Sequence, residues 1–92
     1  MMVSFKGKIA PKLWDRQKTK LPPELWEKAL MKLMVINRAY CLEDLRVPPD
    51  NRLEALKGSR EGQYSIRINA QWRICFAWDG QNAHDVEIVD YH

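Results

Sequence analysis

The chain has 92 residues, of which 46% are hydrophobic and 29% charged, and its formal net charge is +3. A chain of this size and composition is expected to form one globular domain, residues 1–92, around a single core. Its apolar runs are far shorter than the about 20 residues of a membrane-spanning helix, and no stretch resembles a signal peptide. We therefore expect a cytoplasmic protein without a membrane partner.

The first half of the chain is predicted to be mainly helical. Met2–Phe5 is a short apolar run typical of an edge strand, and Ile9–Lys18 favours a short helix because Pro11 is tolerated in a first turn. The strongest helical pattern is Pro23–Ala39, in which a proline occupies the first helical position. Its apolar residues recur at helical spacing, which is typical of an amphipathic helix packed against a core.

The same periodicity predicts which side chains of this helix are buried. Four apolar side chains share the inward face: Trp26, Leu30, Leu33 and Ile36. Met31 and Met34 are expected to pack in the same core. Three basic side chains are expected on the solvent surface: Lys28, Lys32 and Arg38.

The second half of the chain changes to the alternating pattern of β-strands. After a loop that contains one short strand around Leu53–Leu56, alternation predicts strands at Tyr64–Ile68, Trp72–Trp78 and Ala83–Tyr91. The Asp79–Gly80 pair between the last two is a strong hairpin signal. Helices followed by strands predict an α+β fold of two layers, with the N-terminal helices on one face of a small, mainly antiparallel sheet.

The other face of this sheet is predicted to be polar. Strand alternation places five side chains there: Ser65, Arg67, Arg73, Cys75 and Ala77. Arg73 stands between apolar neighbours, and burying its charge without a partner would be costly. It is therefore expected either to pair with an acid of a neighbouring strand, with Glu87 as the candidate, or to bind an anion.

Basic residues form two clusters along the chain. One lies in the first twenty residues, and the second consists of Arg52, Lys57, Arg60, Arg67 and Arg73. Clusters of this kind favour phosphate backbones, and a solvated surface explains the charge pattern equally well. Lys57 and Arg60 flank a glycine turn that either holds a phosphate or simply faces solvent.

The cysteines and histidines do not indicate a metal site. Cys41 and Cys75 lie in separate apolar stretches and are expected to be reduced core residues. His84 and His92, the two histidines of the chain, lack the spacing of metal ligands.

The chain ends on an acid, a phenol and an imidazole: Asp90, Tyr91 and His92. In an extended chain Asp90 and His92 share one side, and the alternation leaves open whether that side is the one of Arg73. No serine or cysteine stands in a nucleophile motif. A substrate that supplies its own nucleophile, such as RNA with its 2′-hydroxyl, needs only a base, a cation and an acid. A frayed terminus is the alternative.

The stretch Asn51–His92 resembles the C-terminal half of the HigB toxins, a branch of the RelE superfamily of bacterial type II toxin–antitoxin systems. Three blocks carry the resemblance in family order and spacing: LKGSREGQYSIRIN, QWRICF and EIVDYH. The first half of the chain is compatible with the same family, because it contains an SFK motif near its start and a predicted pair of helices. The resemblance implies a RelE-like fold and a toxin that cleaves mRNA in the ribosomal A site without metal or cofactor.

The resemblance also implies roles for individual residues. The catalytic set is Glu54, Arg73, Asp90, Tyr91 and His92, and the phosphate-binding set is Lys57, Arg60 and Arg73. Arg73 would stabilise the scissile phosphate, and Tyr91 would position RNA or stack on it. Some family members have a histidine where this chain has Glu54, so that carboxylate would accept a proton or position Lys57.

The implied partners are a HigA-like helix-turn-helix antitoxin, the 70S ribosome and mRNA. Operator DNA would be bound only through the complex with the antitoxin. Two other classes of function stay open: a non-catalytic ParE-like toxin that binds DNA gyrase, and a plain nucleic-acid or ribosome-binding module. The terminal pair of Asp90 and His92 favours the endoribonuclease, because a pure binder has no need of an acid and a base there.

Overall fold

The computed structural model describes residues 1–90. They form a four-stranded antiparallel sheet covered on one face by two α-helices. The elements are α1 (Ile9–Trp14), α2 (Trp26–Arg38), β1 (Glu54–Ala55), β2 (Gln63–Arg67), β3 (Trp72–Trp78) and β4 (Ala83–Asp90). The strand order is β1-β2-β3-β4, so each strand pairs with its neighbour along the chain. This two-layer arrangement confirms the predicted α+β fold.

Both helices differ from their predicted bounds for local reasons. Pro23–Leu25 forms a 3-10 turn that leads into α2, so the regular helix begins at Trp26. α1 is shorter than predicted because Arg16 adopts a left-handed backbone with φ of +59°, which an α-helix does not accommodate. No helix within residues 1–90 is long and apolar enough to cross a bilayer.

The N-terminal segment lies along the outer edge of β4. Met2 and Phe5 form isolated parallel bridges with Ala83 and Val86, rather than the continuous edge strand that the sequence predicts. The Val3 N–H donates to the Ala83 carbonyl at 2.9 Å. These contacts cover backbone groups of β4 that would otherwise form an exposed sheet edge.

β4 contains a bulge that sets the direction of its side chains. Cys75 pairs with Glu87 and Ala77 pairs with His84, so β4 has one more residue than β3 between the two pairs. At the bulge Asp85 has a φ of +52°, and its N–H donates to a serine hydroxyl of the N-terminal segment at 2.9 Å. As a result, His84 and Glu87 share the face that is not covered by the helices.

The hydrophobic core lies between the helices and the other face of the sheet. Ile66, Ile74 and Ile88 form a row across β2, β3 and β4, and each is at most 4% exposed. Leu33 and Ile36 of α2 are fully buried in the same cluster. Burial of each such side chain contributes about 1.5–3 kcal/mol to the free energy of folding. The apolar residues that recur at helical spacing in α2 and at alternating positions in the strands therefore form most of the core.

Lys32 corrects the prediction that the basic residues of α2 lie on the surface. This residue is 8% exposed, and its Nζ donates to the Asn51 Oδ1. The Pro49–Asn51 turn packs over this part of α2, and Asn51 Nδ2 also donates to the Leu45 carbonyl at 3.1 Å. Burial is the largest influence on the Lys32 ammonium and lowers its pKa. A loop amide therefore replaces solvent as the partner of this lysine.

Two predictions of burial are wrong. Met31 is 61% exposed because it lies on the outer side of α2, away from the sheet. Cys41 is exposed because it precedes the surface turn Leu42–Arg46, whereas Cys75 is buried and reduced as expected. Apolar composition alone does not report the direction in which a side chain points.

Replacing Asn51 with alanine is expected to lower the free energy of unfolding by about 2–4 kcal/mol, because the Lys32 ammonium and a loop carbonyl lose their buried partner. Urea denaturation should show a lower midpoint at an unchanged m value. Asp50→Ala is the matched control. Its carboxylate lies 3.7 Å from the Lys32 Nζ but is 67% exposed, so its removal should cost about 1 kcal/mol or less. Equal losses in the two variants would contradict this role for Asn51.

Candidate active site

The uncovered face of the sheet carries a continuous row of polar side chains. Glu54, Ser65, Cys75 and Glu87 are register partners across the four strands. The two central members, Ser65 and Cys75, are fully buried, although no helix covers this side. Burial also raises the pKa of the Cys75 thiol, so this cysteine stays protonated at neutral pH. Side chains of the face itself must therefore cover the centre of the row.

Arg73 is one of these covering side chains, and it is held from two directions. Its Nη1 donates to Glu54 Oε1 at 3.1 Å and to Ser65 Oγ at 3.0 Å. The Arg73 side chain is 16% exposed, and these acceptors help to compensate the desolvation of its charge. The predicted ion pair with an acid is present, but the acid lies on β1, two strands away from β3. The predicted partner on the neighbouring strand, Glu87, is wrong.

Arg60 is the actual partner of Glu87. It ends the Gly58–Arg60 turn, and its Nη2 lies 3.2 Å from Glu87 Oε1 while its Nη1 donates to Gln63 Oε1 at 3.1 Å. The turn carries Arg60 over β2 and β3 to reach β4, a contact between residues 27 positions apart. Two arginine–glutamate pairs thus cross the sheet face in opposite directions above Ser65 and Cys75.

Lys57 lies at the rim of this face. It is exposed, and it shares a shallow depression with Glu54, three positions earlier along the chain. The structure therefore brings Glu54, Arg73 and Arg60 together with Lys57 beside them. Ser65 is the member of the group that the sequence did not single out, although strand alternation placed it on the same face as Arg73.

Asp90 lies on the other side of the sheet. Its register partner is Trp72, which packs against the core, and its Oδ2 accepts a hydrogen bond from Gln71 Nε2 at 3.1 Å. Arg73, the next residue of β3, faces the opposite way. Tyr91 and His92 lie outside the described residues, so their approach to Arg73 stays a prediction.

His84 is the second histidine to consider, and it lies at the far end of the same polar face. Its Nε2 is 2.7 Å from Asp79 Oδ2. This contact, with the backbone N–H groups of Asn82 and Gln81, lowers the pKa of Asp79 to about 2. His84 pairs with Ala77, four residues along β3 from Arg73, a distance of about 14 Å. The histidine therefore belongs to the hairpin turn, and sequence reasoning did not find this pair.

Metal ligands do not converge in the described part of the chain. No three histidine, cysteine, aspartate or glutamate side chains of residues 1–90 are grouped so as to hold an ion. The polar face instead combines the exposed Lys57 with two arginines that are each oriented by a carboxylate, a set that can contact an anion.

The sequence of the chain is similar to that of known proteins over nearly its whole length. The HigB-like toxin family, described as the RelE-like toxin of type II toxin-antitoxin system HigB, matches residues 3–92 and confirms the resemblance. Toxin HigB-1 of Vibrio cholerae is 47% identical over 47 residues, 51% of this chain and 50% of that protein. Endoribonuclease HigB of Proteus vulgaris is 44% identical over 41 residues, 45% of each. The matches thus span about half the length of these relatives.

Solved structures share the fold over nearly the whole chain. The YoeB dimer of Staphylococcus aureus has a TM-score of 0.63 at 21% identity, covering 100% of this chain and 97% of that one. YafQ of E. coli has a TM-score of 0.59 at 16% identity, covering 98% and 93%. A heterotetrameric YoeB–YefM toxin–antitoxin complex from S. aureus gives 0.61 at 18% identity, covering 100% and 98%.

The Asp79 carboxyl is expected to titrate at about pH 2, below its ordinary value of 3.8. Because the folded pKa is the lower one, its stabilising contribution is complete above about pH 4 and is lost as the pH falls towards 2. Carbonyl NMR shifts followed through an acid titration measure the midpoint directly. His84→Ala should raise that midpoint, since the leading cause of the shift is removed.

Gln81→Ala is the control for this titration, because it keeps the backbone N–H that contacts Asp79. Its midpoint should match that of the unsubstituted protein. A midpoint near the ordinary value in the unsubstituted protein, or no change in His84→Ala, would contradict the assigned contact.

Proposed function

The chain belongs to the HigB-like family of RelE-like toxins of type II toxin–antitoxin systems, and from this premise we propose that it is an endoribonuclease that cleaves mRNA in the ribosomal A site. The observation that carries the proposal is the Arg73 guanidinium, fixed by two acceptors on the uncovered sheet face. The Proteus vulgaris relative, named an endoribonuclease, supports the same reaction class.

The proposed reaction uses the substrate's own nucleophile. The RNA 2′-hydroxyl loses its proton to a base of the protein, and its oxygen attacks the adjacent phosphorus. The bond from phosphorus to the 5′-oxygen breaks, and an acid of the protein protonates the departing oxygen. The products are a 2′,3′-cyclic phosphate and a free 5′-hydroxyl. Side chains supply each proton transfer, so the proposal includes no metal and no cofactor.

Arg73 is proposed to stabilise the charge that develops on the phosphate. Donors that are already oriented before the reaction need little reorganisation during it, which is the basis of electrostatic catalysis. Glu54 and Ser65 provide that orientation, because both accept hydrogen bonds from the same Nη1. In this view Glu54 acts on the reaction through Arg73, and Lys57 at the rim contacts a flanking phosphate.

The acid and the base are proposed to be Asp90 and His92, with Tyr91 holding the RNA. Asp90 ends the described part of β4 and pairs with Trp72, the residue before Arg73. An imidazole is the side chain that ordinarily gains and loses a proton near neutral pH, and a positioned carboxylate can take part in proton transfer in the transition state.

The proposed partners follow from the family. A HigA-like helix-turn-helix antitoxin would neutralise the toxin and, in complex with it, bind operator DNA. The heterotetrameric YoeB–YefM toxin–antitoxin complex of S. aureus contains a chain with the same fold, which supports an antitoxin as a partner. The ribosome would be the second partner, because holding the mRNA in an extended form supplies much of the orientation that so open a site does not.

Arg73→Ala is expected to lower cleavage of ribosome-bound mRNA by about 10²–10³-fold, the usual loss when a preoriented donor to a developing negative charge is removed. The measurement is single-turnover cleavage on programmed ribosomes, with product ends mapped as 5′-hydroxyls. Arg38→Ala, an exposed position at the end of α2, is the control and should retain full activity. Undiminished cleavage by Arg73→Ala would remove the arginine from the mechanism.

His92→Gln is expected to lower the same rate by about 10²–10⁴-fold, because the amide keeps the size of the side chain but transfers no proton. The pH dependence separates this from a binding defect: the variant should lose one limb of the pH–rate profile. If growth arrest persists in this variant while transcripts stay intact, the gyrase-binding alternative is favoured instead.

A further inference from the structure

A second cationic site lies beside the polar face, at the edge of the sheet where β2 ends. It is a cleft of about 250 Å³ lined by Lys28, Asp50, Arg52, Arg67, Ile68 and Asn69. Three different parts of the fold supply its charges, namely α2, the Pro49–Asn51 turn with the residue after it, and the last position of β2. Charges so far apart in sequence meet only because of the tertiary structure.

The cleft holds more positive than negative charge. Its one acid, Asp50, already lies 3.7 Å from the Nζ of the buried Lys32. Lys28, Arg52 and Arg67 form no ion pair with any other part of residues 1–90. Gathering three cations around one acid that is shared with Lys32 costs free energy, so an arrangement of this kind is expected where an anion binds.

Arg67 joins the cleft to the polar face. It is the direct register partner of Arg73 across β2 and β3, and like charges in that position destabilise a sheet. Arg67 turns towards the cleft, where its Nε donates to the Asn69 carbonyl at 2.9 Å. The Arg67 guanidinium therefore has a fixed direction. Arg67 starts beside Arg73 in the sheet, and its side chain extends from there into the cleft.

The backbone of Arg52 is constrained by the preceding turn, and its side chain is exposed. Its backbone is left-handed, with a φ of +48°, and its N–H donates to the Pro49 carbonyl at 3.1 Å. The exposed guanidinium is therefore available to a ligand in the cleft.

We propose that this cleft is a phosphate-binding subsite that receives an RNA backbone next to the phosphate held at Arg73. The inference rests on the proposed function for the identity of the polyanion. The shared chemistry is the RNA phosphodiester, which is supplied either by the mRNA strand that is cut or by ribosomal RNA beside it. Arg67 and Arg52 are the contacting side chains, with Lys28 contributing to the potential.

The test removes Arg52 and Arg67 together, both as glutamine. A matched control, Arg16→Gln with Arg38→Gln, removes the same charge from residues outside the cleft. Thermal melting confirms that both variants are folded. The first arm measures the Kd for a single-stranded RNA made uncleavable by 2′-deoxy substitution, over a series of salt concentrations. The second arm measures the Kd for 70S ribosomes without mRNA over the same series.

Each phosphate contact contributes about 0.7 to the slope of log Kd against log salt for a single strand. The cleft variant should therefore lose about 1.4 from the slope in the first arm if the mRNA strand occupies the cleft. A reduced slope only in the second arm assigns the cleft to ribosomal RNA. Unchanged slopes in both arms, equal changes in the control, or no salt-dependent binding by the unsubstituted protein would overturn the proposal.

Cleavage by the unsubstituted protein on programmed ribosomes is measured separately. If it does not cleave, the proposed function fails, while the two binding arms still decide whether the cleft contacts RNA. If it cleaves and the slopes do not change, the subsite fails and the proposed function stands.

Discussion

The contact of Arg73 with Glu54 and Ser65 constrains the whole uncovered side of the sheet. An arginine with 16% of its side chain exposed requires charged and polar partners, because removal of one partner leaves a desolvated charge. Glu54 supplies the charge from β1, a strand of two residues that has little backbone pairing of its own. The ion pair thus stabilises an edge strand that two ladder positions alone would hold weakly, and the edge strand in turn orients the guanidinium.

Small residues at the centre of the face make this arrangement possible. Ser65 and Cys75 occupy neighbouring register positions, and larger side chains there would lift both arginines away from their acids. The bulge in β4 is equally necessary. Without the extra residue at Asp85 the alternation of β4 would shift by one position. Glu87 would then face the core, and Val86, which is buried in the core, would face the polar side.

Periodic segments of the chain were predictable, and contacts made through irregular segments were not. β3 has the bounds Trp72–Trp78 that alternation predicts, and the polar face contains Arg73 as parity requires. By contrast, Glu87 pairs with Arg60 and not with Arg73, and this depends on where the Gly58–Arg60 turn places Arg60. Lys32 is buried only because a loop folds over α2. Neither loop has a periodic sequence pattern from which its backbone path follows, so the sequence does not predict these contacts.

The two faces of the sheet meet at one end of the molecule, and the proposed chemistry needs that end. In an antiparallel meander the end of β2, the start of β3 and the end of β4 lie side by side, and these positions carry Arg67, Arg73 and Asp90. Asp90 and Arg73 point to opposite faces, so a phosphate at the centre of either face would meet only one of them. A phosphate at this end of the sheet is expected to lie near both side chains, because Trp72, the register partner of Asp90, is adjacent to Arg73 in the chain. The substrate backbone is therefore expected to cross this end of the sheet, in the direction of the cleft that Arg67 enters.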